Sequence, residues 1–365
     1  METDTLLSLI QRSYRPEEYP ALDHQIRLWQ KERPLSGLRI LDATPVFRNT
    51  LVKYQALQAA GARLSVGLSD CIACDPEIVD RIRANGIPVV APSDRGRMAF
   101  DLILDCAGVF AEWVPTYGFV ELTRSGVPRY AHSAKPVYIA DSGRIKRIET
   151  MLGTGESYFR AMAQFGYTTW KDRRFVLFGS GKVGSGIALY AHRHGARISI
   201  VTEPESLQPA IRSLAEEIID CRDSAAVGAA VRAAYAIVMA TGHKEAFQQS
   251  CPAEAWQQSE ALMANMGVED EFGPELPPER VLNGKKTLNF TLEEPTHLKY
   301  IDATLALHNE GALYLATHPE ARGLMAPGPE TEERLLQISI SKGIAGEEIA
   351  LLLSNTTEQR ESIRP

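Results

Sequence analysis

The 365 residues are 44% hydrophobic and 23% charged, a balance that supports packed cores and excludes a low-complexity or disordered chain. A net charge of −7 argues against a nucleic-acid-binding surface. No apolar run approaches the roughly 18 residues of a membrane span, so no membrane partner is expected, and the length predicts two domains.

The opening METDTLLSLIQRSYRPEEYP lacks a basic segment followed by a long apolar core. No secretory leader is expected, and the location is expected to be cytoplasmic. Strands are predicted at Leu38–Asp42, Arg63–Gly67, Pro88–Ala91 and Asp101–Asp105, with helices at Asn49–Ala60 and Pro76–Ala84. Strands separated by helices of this length imply a parallel sheet. From Arg144 to about Tyr167 a long helix is predicted, broken near Gly153-Thr-Gly155, leading into a second domain.

Residues 174–203, RFVLFGSGKVGSGIALYAHRHGARISIVTE, are the most informative in the chain. An apolar run, Phe175–Phe178, meets Gly179-Ser-Gly181-Lys182-Val183-Gly184. An amphipathic stretch, a second apolar run at Ile198–Val201, and Glu203 follow. Strand, glycine turn, helix, strand and terminal acid together form the dinucleotide-binding fingerprint. Gly179 permits the tight turn, Gly181 lets a pyrophosphate approach the backbone, and Gly184 lets the helix pack on the sheet. The amides and dipole at the helix start attract the diphosphate. Glu203 is placed to accept the ribose 2′-hydroxyl, favouring NAD over NADP, with Arg197 and Thr202 close enough in sequence to bear on that choice. His192, Arg193 and His194 complement the dipole at the end of the helix.

Further strands are predicted at Ala236–Ala240 and Ala261–Met266, so the second domain reads as doubly wound. A strand-like run, Lys286–Phe290, precedes a strong helix candidate, Thr296–Leu315, and helical stretches around Glu332–Ser341 and Glu347–Leu353. The expected organisation is a first α/β domain over 1–150, a Rossmann NAD-binding domain over 151–295, and C-terminal helices over 296–365 that pack on the first domain or on a partner subunit. Five scattered cysteines, Cys71, Cys74, Cys106, Cys221 and Cys251, suggest reduced thiols. Cys71-Ile-Ala-Cys74 has no second ligand pair near it, so no metal is expected, and a redox role stays open beside that of two loop thiols.

From about Tyr19 to about Ala316 the order of parts resembles S-adenosylhomocysteine hydrolase. Tyr19–Leu22 and Lys31–Ile40 are similar to that family's opening helix and first strand. Val137–Ser157, VYIADSGRIKRIETMLGTGES, is similar to its substrate helix and interdomain turn. GSGKVGSG with GARISIVTE is similar to its NAD-binding core. Val238–His243 and Asn265-Met266-Gly267 are similar to its later cofactor loops. The resemblance implies an N-terminal substrate domain, an inserted NAD domain, and oxidation of a ribose hydroxyl by a tightly held NAD. It also implies a homodimer or higher homo-oligomer.

The family's chemistry residues do not carry over. Its histidine falls on Pro45, its second aspartate on Cys106, its glutamate on Leu122, its lysine on Ile145 beside Lys146, and its Asp-Asn pair on Glu149-Thr150. Its late asparagine falls on Leu305 and a further histidine on Val268, and the chain's ending ESIRP differs from the family's basic, tyrosine-ending tail. Proline, leucine, isoleucine and valine cannot carry protons.

Lys146 and Glu149, three apart on one predicted helical face, read as a proton-handling pair or as a solvated ion pair. His243, after Ala240-Thr241-Gly242 at a strand end, is a candidate to contact nicotinamide or substrate, or a simple loop histidine. Glu121, Thr123 and Ser125 match the family's cofactor-contacting threonines, or form a surface turn. Asp105 lines a cleft or caps a turn, Arg48 is a weak candidate for an anion, and His308 and Asn309 read as packing. Thr241, Gly242, Met266 and Gly267 complete the expected cofactor set. The leading expectation is an NAD-dependent oxidoreductase acting on a small molecule other than S-adenosylhomocysteine. The alternatives are a genuine hydrolase with unusual residues, and an NAD-binding pseudoenzyme with a regulatory or partner-binding role.

Overall fold

The computed structural model describes residues 5–70, 72–141 and 143–354. Cys71, half of the CxxC, lies outside them, as does the C-terminal ESIRP; Cys74, Cys106, Cys221 and Cys251 are reduced. The strands among the described residues are, in chain order, β1 Arg39–Asp42, β2 Arg63–Gly67, β3 Val89–Val90, β4 Leu102–Asp105, β5 Gly118–Glu121, β6 Val137–Ile139, β7 Arg174–Phe178, β8 Arg197–Thr202, β9 Glu217–Asp220, β10 Ala236–Met239, β11 Leu262–Asn265 and β12 Leu324–Met325. The protein is α/β, with two compact units, Met1–Lys146 with His297–Pro365, and Arg147–Thr296.

The first unit holds a seven-stranded sheet in the order β12-β6-β5-β4-β1-β2-β3. Every pairing is parallel. Strands covered on both faces read as near-continuous apolar runs, and β4, Leu-Ile-Leu-Asp, is buried at all four positions. One side packs as an apolar cluster that includes Leu41, Phe100, Ile103, Phe110, Phe119 and Ile139. The helix Leu298–Thr317 returns to this unit, where Asp302 accepts from the Ala21 and Leu22 amides at 2.9 and 3.0 Å. It thereby caps the helix Pro20–Glu32 at the end where backbone N–H groups lack helical partners.

The second unit is a five-stranded parallel sheet, β11-β10-β7-β8-β9. Its core includes Val176, Phe178, Val201, Ile237, Met239, Phe247 and Phe272. Chain order reverses between β7 and β10, the switch point where open α/β sheets bind ligands.

Four strands escape the sequence pattern: β5, β6, β9 and β12. Each has two to four residues, too short to display a period of two. The expected break at Gly153-Thr-Gly155 is corrected. A π-helical stretch, Ile148–Gly153, runs directly into the α-helix Thr154–Gln164. The glycines serve packing instead: a Cβ on Gly155 would meet the Gly186 carbonyl, and one on Gly186 the Met151 backbone. The helix Lys182–Arg193 therefore crosses this segment at backbone contact.

The strand-like run Lys286–Phe290 is also corrected. Asn283, Gly284 and Lys285 adopt left-handed φ of 57°, 56° and 70°, and Leu288–Thr291 forms a 3₁₀ turn. Asn-Gly turn chemistry overrides the apolar alternation here. The Lys285 ammonium holds the reversal by reaching Asp270 at 3.2 Å and the Gly273 carbonyl at 2.5 Å.

Candidate functional site

At the carboxyl end of the second sheet, a cavity of about 510 Å³ opens between the loops that follow β7, β8, β9 and β10. The end of β7 supplies Phe178, Gly179, Ser180 and Gly181, β8 supplies Val201, Thr202 and Glu203, β9 leads to Cys221 and Arg222, and β10 to Thr241 and His243.

The glycine loop has the shape a dinucleotide requires. Gly179 has φ +95°, and a Cβ there would strike the Ala240 carbonyl; a Cβ on Gly184 would strike the Gly179 carbonyl. At Gly181 an added Cβ would meet nothing within 4 Å. The first and third glycines therefore serve the fold, while the second faces open space, leaving the backbone approachable. Gly181 is the N-cap of the helix Lys182–Arg193, whose first amides and dipole favour an anion. The Ser185 hydroxyl donates to the Ser180 carbonyl at 3.0 Å, and Ser180 and Thr202 share a hydroxyl hydrogen bond of 2.9 Å. These bonds brace the loop between two strand ends. The donor set and open backbone fit a dinucleotide.

Glu203 is exposed on the cavity wall, where a ribose-binding acid belongs. Thr202 also lines the wall. Arg197 does not: it begins β8, at the opposite end of the sheet, and pairs with Glu216 at 3.0 Å. Lys182, Val183 and Gly184 adjoin the lining residues in sequence without lining the cavity themselves.

On the far side, a residue that the sequence did not single out holds the loop after β10. Glu271 is fully buried. It accepts from the Thr241 amide and hydroxyl, both at 2.7 Å, and from the Gly242 amide at 2.9 Å. Within the acidic run Val268-Glu-Asp-Glu271 it reads as surface, and only the fold reveals its partners. His243 is exposed beside this anchored loop. Met266 and Gly267 follow β11 and stay out of the cavity lining. Gly267 is needed because a Cβ would collide with Glu271, and Thr287 donates to its carbonyl at 2.7 Å.

In the first unit, the strand ends carry buried polar groups. Asp105 accepts from the Cys106 and Phe110 amides, each at 2.8 Å, and from the Tyr130 hydroxyl at 2.6 Å; it therefore caps a turn. Burial, with Glu121 adding to it, pushes its carboxyl up to about 7. Glu121 accepts from the Ala107 and Gly108 amides at 3.0 Å and from the Thr123 hydroxyl at 2.6 Å. The Thr123 oxygen also accepts from Ala107 at 2.9 Å, so this hydroxyl is engaged within its own unit. Asp42 pairs with Lys53, both fully buried. His308, buried between Thr44 and the Val120 carbonyl, is pushed down to about 3, chiefly by burial.

The positions matching the family's aspartate and glutamate, Cys106 and Leu122, come together in a small apolar cluster with Ile72, flanked by Val109. Lys146 is buried, its ammonium 3.3 Å from the Leu122 carbonyl. Glu149 is half-buried at the start of the π-helical stretch. The α-helical turn of Gly143–Arg147 widens from Ile148 onward, so an argument from i,i+3 spacing does not carry over to this pair. Arg48 is half-buried in the turn after β1.

No family model matches the chain. Among curated proteins it is similar to the adenosylhomocysteinase of Sulfurisphaera tokodaii, 25% identical over 61% of this chain and 59% of that one. It is also similar to the adenosylhomocysteinases of Pyrococcus abyssi and Sulfolobus acidocaldarius, 22% and 26% identical over 50% of each chain. The chain spans about half the length of these curated relatives. The resemblance drawn from the motifs is thus matched by sequence relatives of that kind. Solved structures with partial likeness include a dipicolinate synthase chain from Bacillus halodurans, 11% identical with a TM-score of 0.44, covering 88% of this chain and 99% of that one. Another is the transhydrogenase from Sinorhizobium meliloti, 12% identical with a TM-score of 0.43, covering 77% and 94%.

Proposed function

We propose, from the premise that this chain is a divergent adenosylhomocysteinase-like protein, that it is an NAD-dependent oxidoreductase acting on a small metabolite other than S-adenosylhomocysteine. The observation that carries this reading is the open cavity at Gly181, ending on Glu203 at the switch point of the second sheet.

Bound there, the dinucleotide supplies a hydride acceptor. The Gly179–Gly181 backbone and the helix start hold the diphosphate, and the Glu203 carboxylate accepts from the ribose hydroxyls. Glu271 keeps Thr241 and Gly242 fixed at the far wall, and the His243 imidazole takes up or releases a proton. Lys146, its ammonium beside the Leu122 carbonyl, is the second candidate for proton handling, with Glu149 the third. The family's carboxylate positions support a different substrate, because they hold Cys106 and Leu122, which are buried in a small apolar cluster with Ile72, so neither carries the carboxylate of that chemistry. Met266 and Gly267, on the loop after β11, are assigned to the periphery of cofactor binding. The division into a substrate unit and a cofactor unit is part of the same proposal, as is assembly as a homodimer or higher homo-oligomer in the cytoplasm. Light scattering tests the assembly.

The direct test incubates purified protein with NAD and panels of alcohols, amino acids and nucleosides, and follows absorbance in the reduced-nicotinamide band. Turnover is expected with one of these classes, and no adenosine is expected from S-adenosylhomocysteine. Protein that neither binds a dinucleotide nor turns over any panel overturns the proposal. The apolar cluster also favours a second reading, an NAD-binding protein without catalysis. Its mark is tight NAD binding with no spectral change on any panel, together with a protein partner recovered on a pull-down.

A further inference from the structure

Arg222 lines the same cavity, at the carboxyl end of β9 and on the side that also carries Glu203 and Ser206. An arginine near the ribose-binding acid ordinarily marks a site for the 2′-phosphate of NADP. Its surroundings argue the opposite. The Nε–H donates to Asp220 Oδ1 at 2.8 Å, and Nη2 donates to Asp220 Oδ2 at 2.8 Å. On the other edge, Nη1 and Nη2 donate to Glu205 Oε1 and Oε2 at 2.9 and 3.0 Å. Four of the five N–H donors of a guanidinium are thereby spent in two bidentate forks. No edge is left to grip a phosphate with two hydrogen bonds. Asp220 is itself fixed, because Oδ1 also accepts the Arg222 amide at 2.9 Å.

The charge balance points the same way. Three carboxylates, Glu203, Glu205 and Asp220, outnumber Arg222, so this group of four side chains is net negative. The side chains of Arg222 and Glu205 are 58% and 59% exposed. The pairs stand at the cavity wall beside Glu203, where an arginine bears on which nucleotide is admitted.

We propose that Glu205 and Asp220 form a clamp that occupies Arg222 and makes the site selective for NAD, and that releasing the clamp exposes a latent 2′-phosphate site. The proposal rests on the cofactor reading above and goes beyond it by assigning selectivity to residues other than Glu203.

The test measures NAD and NADP affinities by calorimetry for wild type, Glu205→Gln/Asp220→Asn, and the same double variant with Arg222→Ala. Wild type is expected to prefer NAD by about tenfold or more. The double variant is expected to gain about tenfold in NADP affinity with NAD binding little changed, and adding Arg222→Ala is expected to abolish that gain. Glu205 and Arg222 are exposed and Asp220 is half-buried at the end of β9, so melting temperatures are expected to change little, and they confirm that the variants are folded. A ratio of affinities unmoved by the double variant overturns the clamp alone. So does a gain that survives loss of Arg222, since it then reflects net charge. Wild-type protein that binds neither dinucleotide overturns the cofactor reading, and the clamp with it.

Discussion

Two glycines of the fingerprint differ in what surrounds them, and the difference can be measured. Gly181 has an ordinary φ of −66° and open space where a Cβ would go. Gly181→Ala is therefore expected to leave the melting temperature unchanged while weakening NAD binding by about tenfold or more. Gly179 has φ +95° and the Ala240 carbonyl against it, so Gly179→Ala is expected to cost on the order of 1–3 kcal/mol of stability. Thermal unfolding beside an NAD titration separates the two effects. Glu271 presents a third case. Its two oxygens serve three donors of Thr241 and Gly242, and Gln offers only one acceptor oxygen. Glu271→Gln is expected to cost about 1–3 kcal/mol, and hydrogen exchange should show faster opening at the Thr241 and Gly242 amides.

Among the elements, the π-helical stretch and the fingerprint helix meet backbone to backbone. Gly186 meets the Met151 backbone and Gly155 meets the Gly186 carbonyl. A methyl group at either position must push apart two backbones rather than a flexible side chain. Gly186→Ala is expected to destabilise the second unit by about 1–3 kcal/mol, as read by chemical denaturation. A neutral result would mean that the crossing yields easily. The short strands β5 and β6 depend on neighbours in a similar way: a Cβ on Gly118 would overlap Pro136, so the entry to β5 is set by the chain beside it.

Across the whole molecule, stability responds to pH through buried carboxyls. Asp302 is fully buried, and burial pushes it up to about 7 from an ordinary 3.8, against the backbone hydrogen bonds from Leu22 and Ala21 that favour its charged form. A raised acid contributes stability below its unfolded pKa and loses it as pH climbs through the folded value. Asp302→Asn cannot ionise, so the stability of wild type relative to this variant should fall between pH 4 and pH 7 and level off above. The slope approaches at most ~1.4 kcal/mol per pH unit. Urea unfolding of both proteins across that range checks this, and a difference independent of pH would refute it. Subtracting the variant removes the opposing contribution of His308, whose depressed pKa acts in the other direction. None of the helices among the described residues is long and apolar enough to cross a membrane.

Local chemistry made the strand–glycine–helix–strand segment, the longer strands and most helices legible from residue order, because periodicity and turn residues act over a few neighbours. β2 and the helix Pro76–Ala84 have the predicted bounds. The short strands β5, β6, β9 and β12, the buried role of Glu271, the clamp on Arg222 and the apolar union of Ile72, Cys106 and Leu122 required distant segments to meet. Glu205 and Arg222 are 17 residues apart, and Glu271 lies 30 residues from Thr241. No periodicity encodes such meetings, since they arise only when parallel strands align their carboxyl ends on one edge of a sheet.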